Sequence, residues 1–372
     1  MKLGLDAKWY FRGPPSGRRI IRSLVGELAT RPGVDLHLFL DEREREQPAA
    51  ATPPGVTRHF VWARNNQLSN VAVVPRVADR HGMHAVVYQN FAALPPGVRH
   101  ARIAFVHDVI FEESPEFFTL PERLYFAPLK ALSRRATRVC TVSGSERQRM
   151  IRLGYAAAEN IDVVPNAVDA TFRPRSAFDE ARVEALLAAL GIRSPYALFV
   201  GRLTKRKNAG VLLRAMQLVS DRALTLVLAG ARDRTSEDLG QLARQLGMAD
   251  RVRFIGHQDD DHLGVLYAAA AIFCFPSLDE SFGLPPLEAM SAGIPVIVSD
   301  IPVLRDMCGD AAVFVDPGDA AAIARGIDSL MIDAPRRAAL GREGPRHAAQ
   351  FTWAKAADAL LVTVARSLEQ VA

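Results

Sequence analysis

The sequence predicts an α/β protein made of two doubly wound parallel-sheet domains facing a cleft. Three observations carry this prediction. At 372 residues the chain is too long for one ordinary core, since domains commonly run to roughly 100–200 residues. Its second half alternates short β-branched runs with segments of helical periodicity, the pattern of a parallel sheet covered on both faces. The first half repeats that alternation less regularly.

In the first half, strands are expected at Lys2–Ala7, Val34–Leu40, Val56–Trp62, Ala85–Gln89, Arg102–Asp108, Arg138–Ser143 and Ile161–Pro165. In the second they are expected at Tyr196–Gly201, Thr225–Gly230, Val252–Gly256, Ala271–Ser277, Pro295–Asp300 and Ala312–Pro317. Pro165, Pro174 and Pro195 bracket an Ala/Leu-rich helix around Ala181–Leu190, which puts a domain boundary near residue 170. The expected organisation is residues 1–170, 171–350 and a final helical segment, 351–372, that packs back toward the first domain. Thr352 is the natural cap of that last helix.

Composition narrows the function classes. Hydrophobic residues make up 49% and charged residues 23%, and no stretch approaches the roughly 20 apolar residues a bilayer span needs. The N-terminus alternates like a strand and lacks a signal-peptide pattern, so a soluble cytoplasmic protein is expected. Cys140, Cys274 and Cys308 are far apart with apolar neighbours and read as buried reduced thiols. Residues 1–170 hold 23 basic and 17 acidic side chains, whereas residues 171–372 hold 23 and 24. The positive charge thus belongs to the first half. No basic run interleaved with aromatics supports nucleic-acid binding, and weak attraction to an anionic membrane is the better expectation.

Chemistry in open parallel sheets is sought in the loops after strands. The run Gly201-Arg202-Leu203-Thr204-Lys205-Arg206-Lys207-Asn208 follows one strand and precedes a helix for which Asn208 is a good N-cap. Arg202 and Lys207 at a helix start suit a diphosphate, although a solvated basic turn is the alternative for this segment alone. A second loop carries Glu280 and Glu288 in Glu280-Ser281-Phe282-Gly283-Leu284-Pro285-Pro286-Leu287-Glu288, where the prolines suit a helix's first turn and Gly293 its end. Two carboxylates beside a diphosphate make sense as acceptors for the hydroxyls of a ribose and a sugar, with Arg202 and Lys207 balancing the phosphate. That combination describes a nucleotide sugar. A glycosidase pair, with carboxyls about 5–9 Å apart, is disfavoured by the neighbouring cations.

These segments, ESFGLPPLEAMSAGIPVIVSD and GRLTKRKN, closely resemble the retaining GT-B glycosyltransferases of family 4. The resemblance extends to MKLGLDA, VHDVIF, TVSGSERQRM, IDVVPNAVD, VRFIGH and FTWAKAA, and so covers nearly the whole chain. It implies two Rossmann-like domains and a metal-independent transferase with no cofactor beyond its nucleoside-diphosphate-sugar substrate. By that resemblance Arg202 and Lys207, with the Gly201 turn, bind the donor diphosphate. Glu288 takes the ribose hydroxyls, and Glu280 the donor sugar together with Ser281 and the backbone of Phe282, Gly283 and Leu284. The base stacks near Arg253 and Ile255. His107 matches a histidine beside the transferred sugar, which makes His107, Arg202, Lys207 and Glu280 the catalytic candidates.

The turn Gly13–Gly17 lets backbone approach phosphate or acceptor closely, and here Arg18 and Arg19 follow where the family tends to have a small apolar residue. The acceptor, a glycan or lipid-linked oligosaccharide, is expected to meet His107, Gly13–Gly17 and Asn90–Pro96. Bacterial mannosyl- and rhamnosyltransferases of surface polysaccharide are the nearest in pattern, with GDP-linked sugars the first expectation and UDP-sugars the second. Asp259-Asp260-Asp261 reads as helix capping rather than as a metal site. Phe117–Arg138, rich in aromatics and arginines, reads either as a surface for anionic lipid or as a core helix with a basic outer face. A nicotinamide dehydrogenase is excluded because Gly13 and Gly17 do not form its glycine fingerprint. A GT-B sugar-nucleotide epimerase and a catalytically silent nucleotide-sugar binder remain as rivals.

Overall fold

In a computed structural model, residues 1–92, 97–232 and 238–371 are described. The chain divides into two compact units, Met1–Ala167 with Thr352–Ala372, and Val168–Phe351. In the first unit the strands are β1 (Lys2–Asp6), β2 (Asp35–Asp41), β3 (Thr57–Val61), β4 (Ala85–Gln89), β5 (Ala101–Phe105), β6 (Arg138–Thr141) and β7 (Ile161–Val163). In the second they are β8 (Tyr196–Val200), β9 (Thr225–Ala229), β10 (Val252–Gly256), β11 (Ile272–Phe275), β12 (Val296–Ser299) and β13 (Ala312–Val315). The sheet orders are β3-β2-β1-β4-β5-β6-β7 and β10-β9-β8-β11-β12-β13, and every pairing is parallel.

Both sheets are doubly wound, as expected from the alternating pattern. Strands covered on two faces must be apolar throughout, and β4 (AVVYQ) and β8 (YALFV) are buried at every position. Around the first sheet, Phe39, Val86, Tyr88, Ala104, Leu129, Val139 and Tyr155 form one core. The three cysteines are free and buried, and burial pushes the Cys274 and Cys308 thiols up to about 12.

The last helix, Trp353–Glu369, opens on Thr352, whose hydroxyl accepts from Lys355 N at 3.3 Å. It packs on the first unit through Ala356, Ala357, Leu360 and Val364. Arg31 bonds Ala354 O and Asp358, each at 3.0 Å, and Arg366 pairs with Asp162 at 2.7 Å.

Two local expectations fail. The helix after β1 spans Pro15–Ala29 and starts before Arg18, so Gly17 is a buried residue of its first turn rather than part of a loop. Phe117–Arg138 is not one helix: Pro121 opens Leu120–Phe126, and Pro128 separates it from Leu129–Ser133. Thr119 and Glu122 close a capping box on the first of these, and Tyr125 and Phe126 pack on the core. Asp259 does cap its helix, accepting from His262 N at 2.8 Å. No helix among the described residues is long and apolar enough to cross a membrane.

Candidate active site

In a doubly wound sheet, ligands sit beyond the carboxyl ends of the strands where the order reverses. In the second unit that point lies between β8 and β11. The loop after β8 carries Lys207 and the loop after β11 carries Glu280, and the two side chains form an ion pair. The Lys207 ammonium also lies 4.7 Å from the centre of the Phe275 ring. Ser277 Oγ donates to Glu280 Oε1 at 2.6 Å, and Arg206 Nη1 reaches Glu280 Oε2 at 3.3 Å and Asp279 O at 2.5 Å. Glu280 is only 6% exposed. Burial by itself would raise its pKa, but Lys207 and Arg206 prevail and hold the carboxyl below its ordinary value. It is therefore a fixed anion and a poor proton donor.

The two loops are tied by backbone as well. Leu278 N donates to Arg206 O at 2.8 Å, and Asn208 Nδ2 donates to Pro276 O at 3.1 Å and Pro317 O at 2.8 Å. Asn208 stands at the helix start in the left-handed region (φ 55°), and its side chain makes no capping bond, contrary to the expected N-cap role. The carbonyls after β11 and β13 claim its amide instead. Gly201 (φ 151°) and Gly230 (φ 153°) close the ends of β8 and β9. A Cβ on Gly230 would lie 1.9 Å from Gly201 O, so only glycine lets these turns touch. Arg202 follows Gly201 directly and is exposed.

Glu288 is 3% exposed, on the helix Leu284–Ser291, and Tyr267 Oη donates to it at 2.9 Å. That helix starts without a side-chain cap on Gly283 (φ 98°). Pro285 and Pro286 bring no N–H, so the donors at this start are the backbone groups of Gly283 and Leu284. Phe282 is buried, edge-on to Phe351 at 6.1 Å. Arg253 spends its guanidinium on Gly191 O and Val252 O, both at 3.1 Å, which leaves Ile255 and the Gly256 turn as what β10 presents at its carboxyl end.

In the first unit the order reverses between β1 and β4. Asp6, at the end of β1, pairs with Lys8 at 2.5 Å, and Asn70 bridges them, accepting from Lys8 at 2.6 Å and donating to Asp6 at 2.7 Å. Gln89, at the end of β4, approaches His107 Nε2 at 2.6 Å through its Oε1, and its buried Nε2 has no partner. Burial lowers the His107 pKa to about 4, with Asp6 opposing, so the ring is neutral near pH 7. Its Nε2–H then points at Gln89, and Nδ1 is left as an acceptor. The Trp9 indole lies 5.6 Å from the His107 ring and fills the space over both glycines of the turn. A Cβ would come within 2.9 Å of Trp9 at Gly13 and 2.8 Å at Gly17. A pocket lies here among Asp6, Lys8, Trp9, Gln89 and Tyr125. Of the expected Asn90–Pro96 contact, Asn90 adopts a left-handed backbone (φ 64°), while residues 93–96 lie outside the described residues.

Two family models match the chain: "Glycosyltransferase Family 4" over residues 17–172 and "Glycosyl transferases group 1" over residues 186–347. The O-antigen chain mannosyltransferase B of Escherichia coli is 35% identical over 267 residues, 70% of this chain and 68% of that one. The chain belongs to glycosyltransferase family 4.

Other relatives of this family 4 glycosyltransferase include the D-inositol 3-phosphate glycosyltransferase of Mycolicibacterium gilvum, 38% identical over 244 residues, 63% of this chain. The match spans about half, 52%, of that relative's length. Among solved structures, Anabaena HepE in complex with UDP and glucose superposes with a TM-score of 0.76 at 21% identity, covering 98% of this chain and 99% of that one. The GT-B fold follows from this likeness.

The structure thus brings Lys207 and Glu280 together, and adds partners that the sequence did not single out. Arg206 is hidden among three consecutive basic residues, and only the short 3-10 turn Lys205–Lys207 decides which of them face Glu280. Tyr267, Ser277, Asn70 and Gln89 carry no local signal, because their partners stand on other segments.

Proposed function

We propose that this glycosyltransferase moves a hexosyl group from a nucleoside-diphosphate sugar held by the second unit to a hydroxyl of a glycan or lipid-linked oligosaccharide held by the first, with retention and without a metal ion. The observation that carries this reading is the Lys207–Glu280–Arg206 network at the strand-order reversal of the second unit. Cleaving the sugar–phosphate bond builds negative charge on the leaving diphosphate. Fixed cations stabilise such charge strongly, and Arg202 and Lys207 are assigned to it. Glu280, kept ionised, accepts from sugar hydroxyls, and Glu288 accepts from the ribose. A carboxylate whose pKa is held down is a weak general base, so the leaving phosphate itself takes the acceptor proton on the same face.

The acceptor is assigned to the carboxyl edge of the first unit's sheet, beside Trp9 and His107. Neutral His107 contributes Nδ1 as an acceptor, and Gln89 Nε2 an unused donor. Mannose or a 6-deoxyhexose such as rhamnose, carried on GDP, is the assigned donor, and the E. coli relative's name, O-antigen chain mannosyltransferase B, supports mannose. Leu120 and Leu124, each 65% exposed and one helical turn apart beside Arg123, are assigned to peripheral contact with anionic lipid at the inner face of the cytoplasmic membrane.

The test is calorimetric titration with GDP, UDP and dTDP in EDTA, on the wild type and on Glu288→Ala. Binding of one diphosphate that the variant weakens supports the donor site and its metal independence. Binding of none of them sinks the proposal, and donor conversion without acceptor would identify an epimerase instead.

A further inference from the structure

The first unit has a second pocket, of about 290 Å³, at the amino-terminal edge of its sheet, where β6 and β7 begin. In a parallel sheet this edge is opposite the carboxyl ends that carry Asp6, Gln89 and His107. A volume of this size is at the lower end of the range of small-molecule sites, about 300–1,000 Å³. Ser133, Arg134, Arg138 and Asn160 supply its polar lining, and the rest is small residues.

The polar groups are unevenly satisfied. Ser133 is 1% exposed, and its hydroxyl has no hydrogen-bond partner. Buried hydroxyls are normally bonded, so this one is a donor awaiting an acceptor. The Arg134 guanidinium is fixed by one bond, Nε to Gly154 O at 2.7 Å, which leaves its outer nitrogens as donors. It fits because Gly154, with φ 70°, has no side chain: a Cβ there would sit 3.0 Å from Arg134 Nη2. Arg138 is buried, bonding Asp162 and Glu159 O at 2.7 Å. Asp162 is the one carboxylate in these pairs and is shared with Arg366, also at 2.7 Å. Two guanidiniums, those of Arg138 and Arg366, thus share one carboxylate, Arg134 adds a third positive charge to the pocket wall, and the Glu159 side chain is exposed to solvent. The pocket wall is electropositive and rich in donors.

We propose that this pocket binds a phosphoryl group. A guanidinium fork with a hydroxyl donor matches the tetrahedral oxyanion, and arginine is the side chain best suited to it. The pocket is larger than one phosphate, so the group is carried on a larger molecule: a phospholipid headgroup or a soluble phosphate ester.

The test uses the full chain. Inorganic phosphate is titrated into the wild type, Arg134→Gln, Ser133→Ala and Arg202→Ala, and the same proteins are sedimented with vesicles of phosphatidic acid in phosphatidylcholine or of phosphatidylcholine alone. Arg134→Gln is expected to weaken phosphate binding at least tenfold and Ser133→Ala several-fold, with Arg202→Ala retaining the binding. Ser133→Ala removes only an unbonded hydroxyl, so it melts no lower than the wild type and keeps the test valid if Arg134→Gln folds poorly. Loss of the phosphatidic acid preference in Arg134→Gln assigns the lipid headgroup, and weakened phosphate binding in Arg134→Gln with its vesicle preference intact assigns a soluble ester. The proposal is overturned if both pocket variants match the wild type in both assays, if phosphate binding disappears in Arg202→Ala alone, or if the wild type binds neither ligand.

Discussion

Replacing Lys207 by alanine tests the catalytic role proposed for its ammonium against its structural one. In the native protein Lys207 pairs with a Glu280 carboxylate that is 6% exposed, and its ammonium rests over Phe275. Breaking a buried pair by deleting one partner costs about 3–5 kcal/mol when the other charge is left alone. Glu280 is not left alone: Arg206 remains at 3.3 Å and Ser277 at 2.6 Å. The loss of stability should therefore fall to ~1–3 kcal/mol. The catalytic loss has no such substitute if Lys207 meets the leaving diphosphate, because removing one preorganised donor to developing charge costs about 10²–10³ in turnover.

The two effects part in Lys207→Ala/Glu280→Gln. Neutralising Glu280 removes the uncompensated buried charge, so much of the lost stability returns, while turnover stays down. Release of nucleoside diphosphate in a coupled assay measures the rate, and urea melts measure the stability. Normal turnover in Lys207→Ala would refute its catalytic assignment. Recovery of turnover together with stability in the double variant would show that Lys207 is purely structural.

Three other perturbations follow from the geometry. Gly230→Ala places a Cβ 1.9 Å from Gly201 O and should cost ~3 kcal/mol or more in unfolding while displacing Arg202 and weakening nucleoside-diphosphate binding. Gly256→Ala, at φ 68° with open space around it, should cost only ~1 kcal/mol, and equal melting losses for the two would contradict the contact. His59 has its pKa lowered to about 4 by burial first and by His81 and His37 next, so the unfolded chain, with a histidine near 6.5, binds more protons between pH 6.5 and 4. Stability should therefore fall as pH drops through that window, by ~1–2 kcal/mol after allowing for solvent contact. His59→Gln should flatten the urea-melt profile there, and an unchanged slope would be against it. Leu120→Ser/Leu124→Ser should cut sedimentation with anionic vesicles roughly tenfold or more without lowering the melting temperature, and unchanged sedimentation would remove the lipid-facing assignment.

The strands were legible because parallel strands buried on both faces must be apolar from end to end, and β4 and β10 run from the first to the last residue expected. The candidate site was legible where one segment holds both the strand end and the residue, as at Lys207 and Glu280, which the structure brings together. It was not legible where tertiary partners outcompete a local rule. Asn208 has the identity of an N-cap, yet its amide is taken by carbonyls 68 and 109 positions away. Gly17 has the identity of a loop residue, yet it sits in a helix because only glycine fits beneath Trp9. Nor does local spacing bring Lys8 to Asn70, 62 positions distant.

Both units answer one physical problem in the same place and with different slack. Each puts a buried carboxylate where its strand order reverses, Asp6 in one and Glu280 in the other, and each neutralises it with a lysine. Lys8 is held by two acceptors, Asp6 and Asn70, and is buried with them, so it works as a brace beneath the Trp9 pocket. Glu280 instead has two cations, and Arg206 is anchored independently on Asp279 O. A carboxylate with a second cation keeps its charge balanced when the first turns toward a phosphate. That redundancy would let Lys207 leave the resting pair for a diphosphate without stranding the carboxylate, as the proposed donor site in the second unit requires.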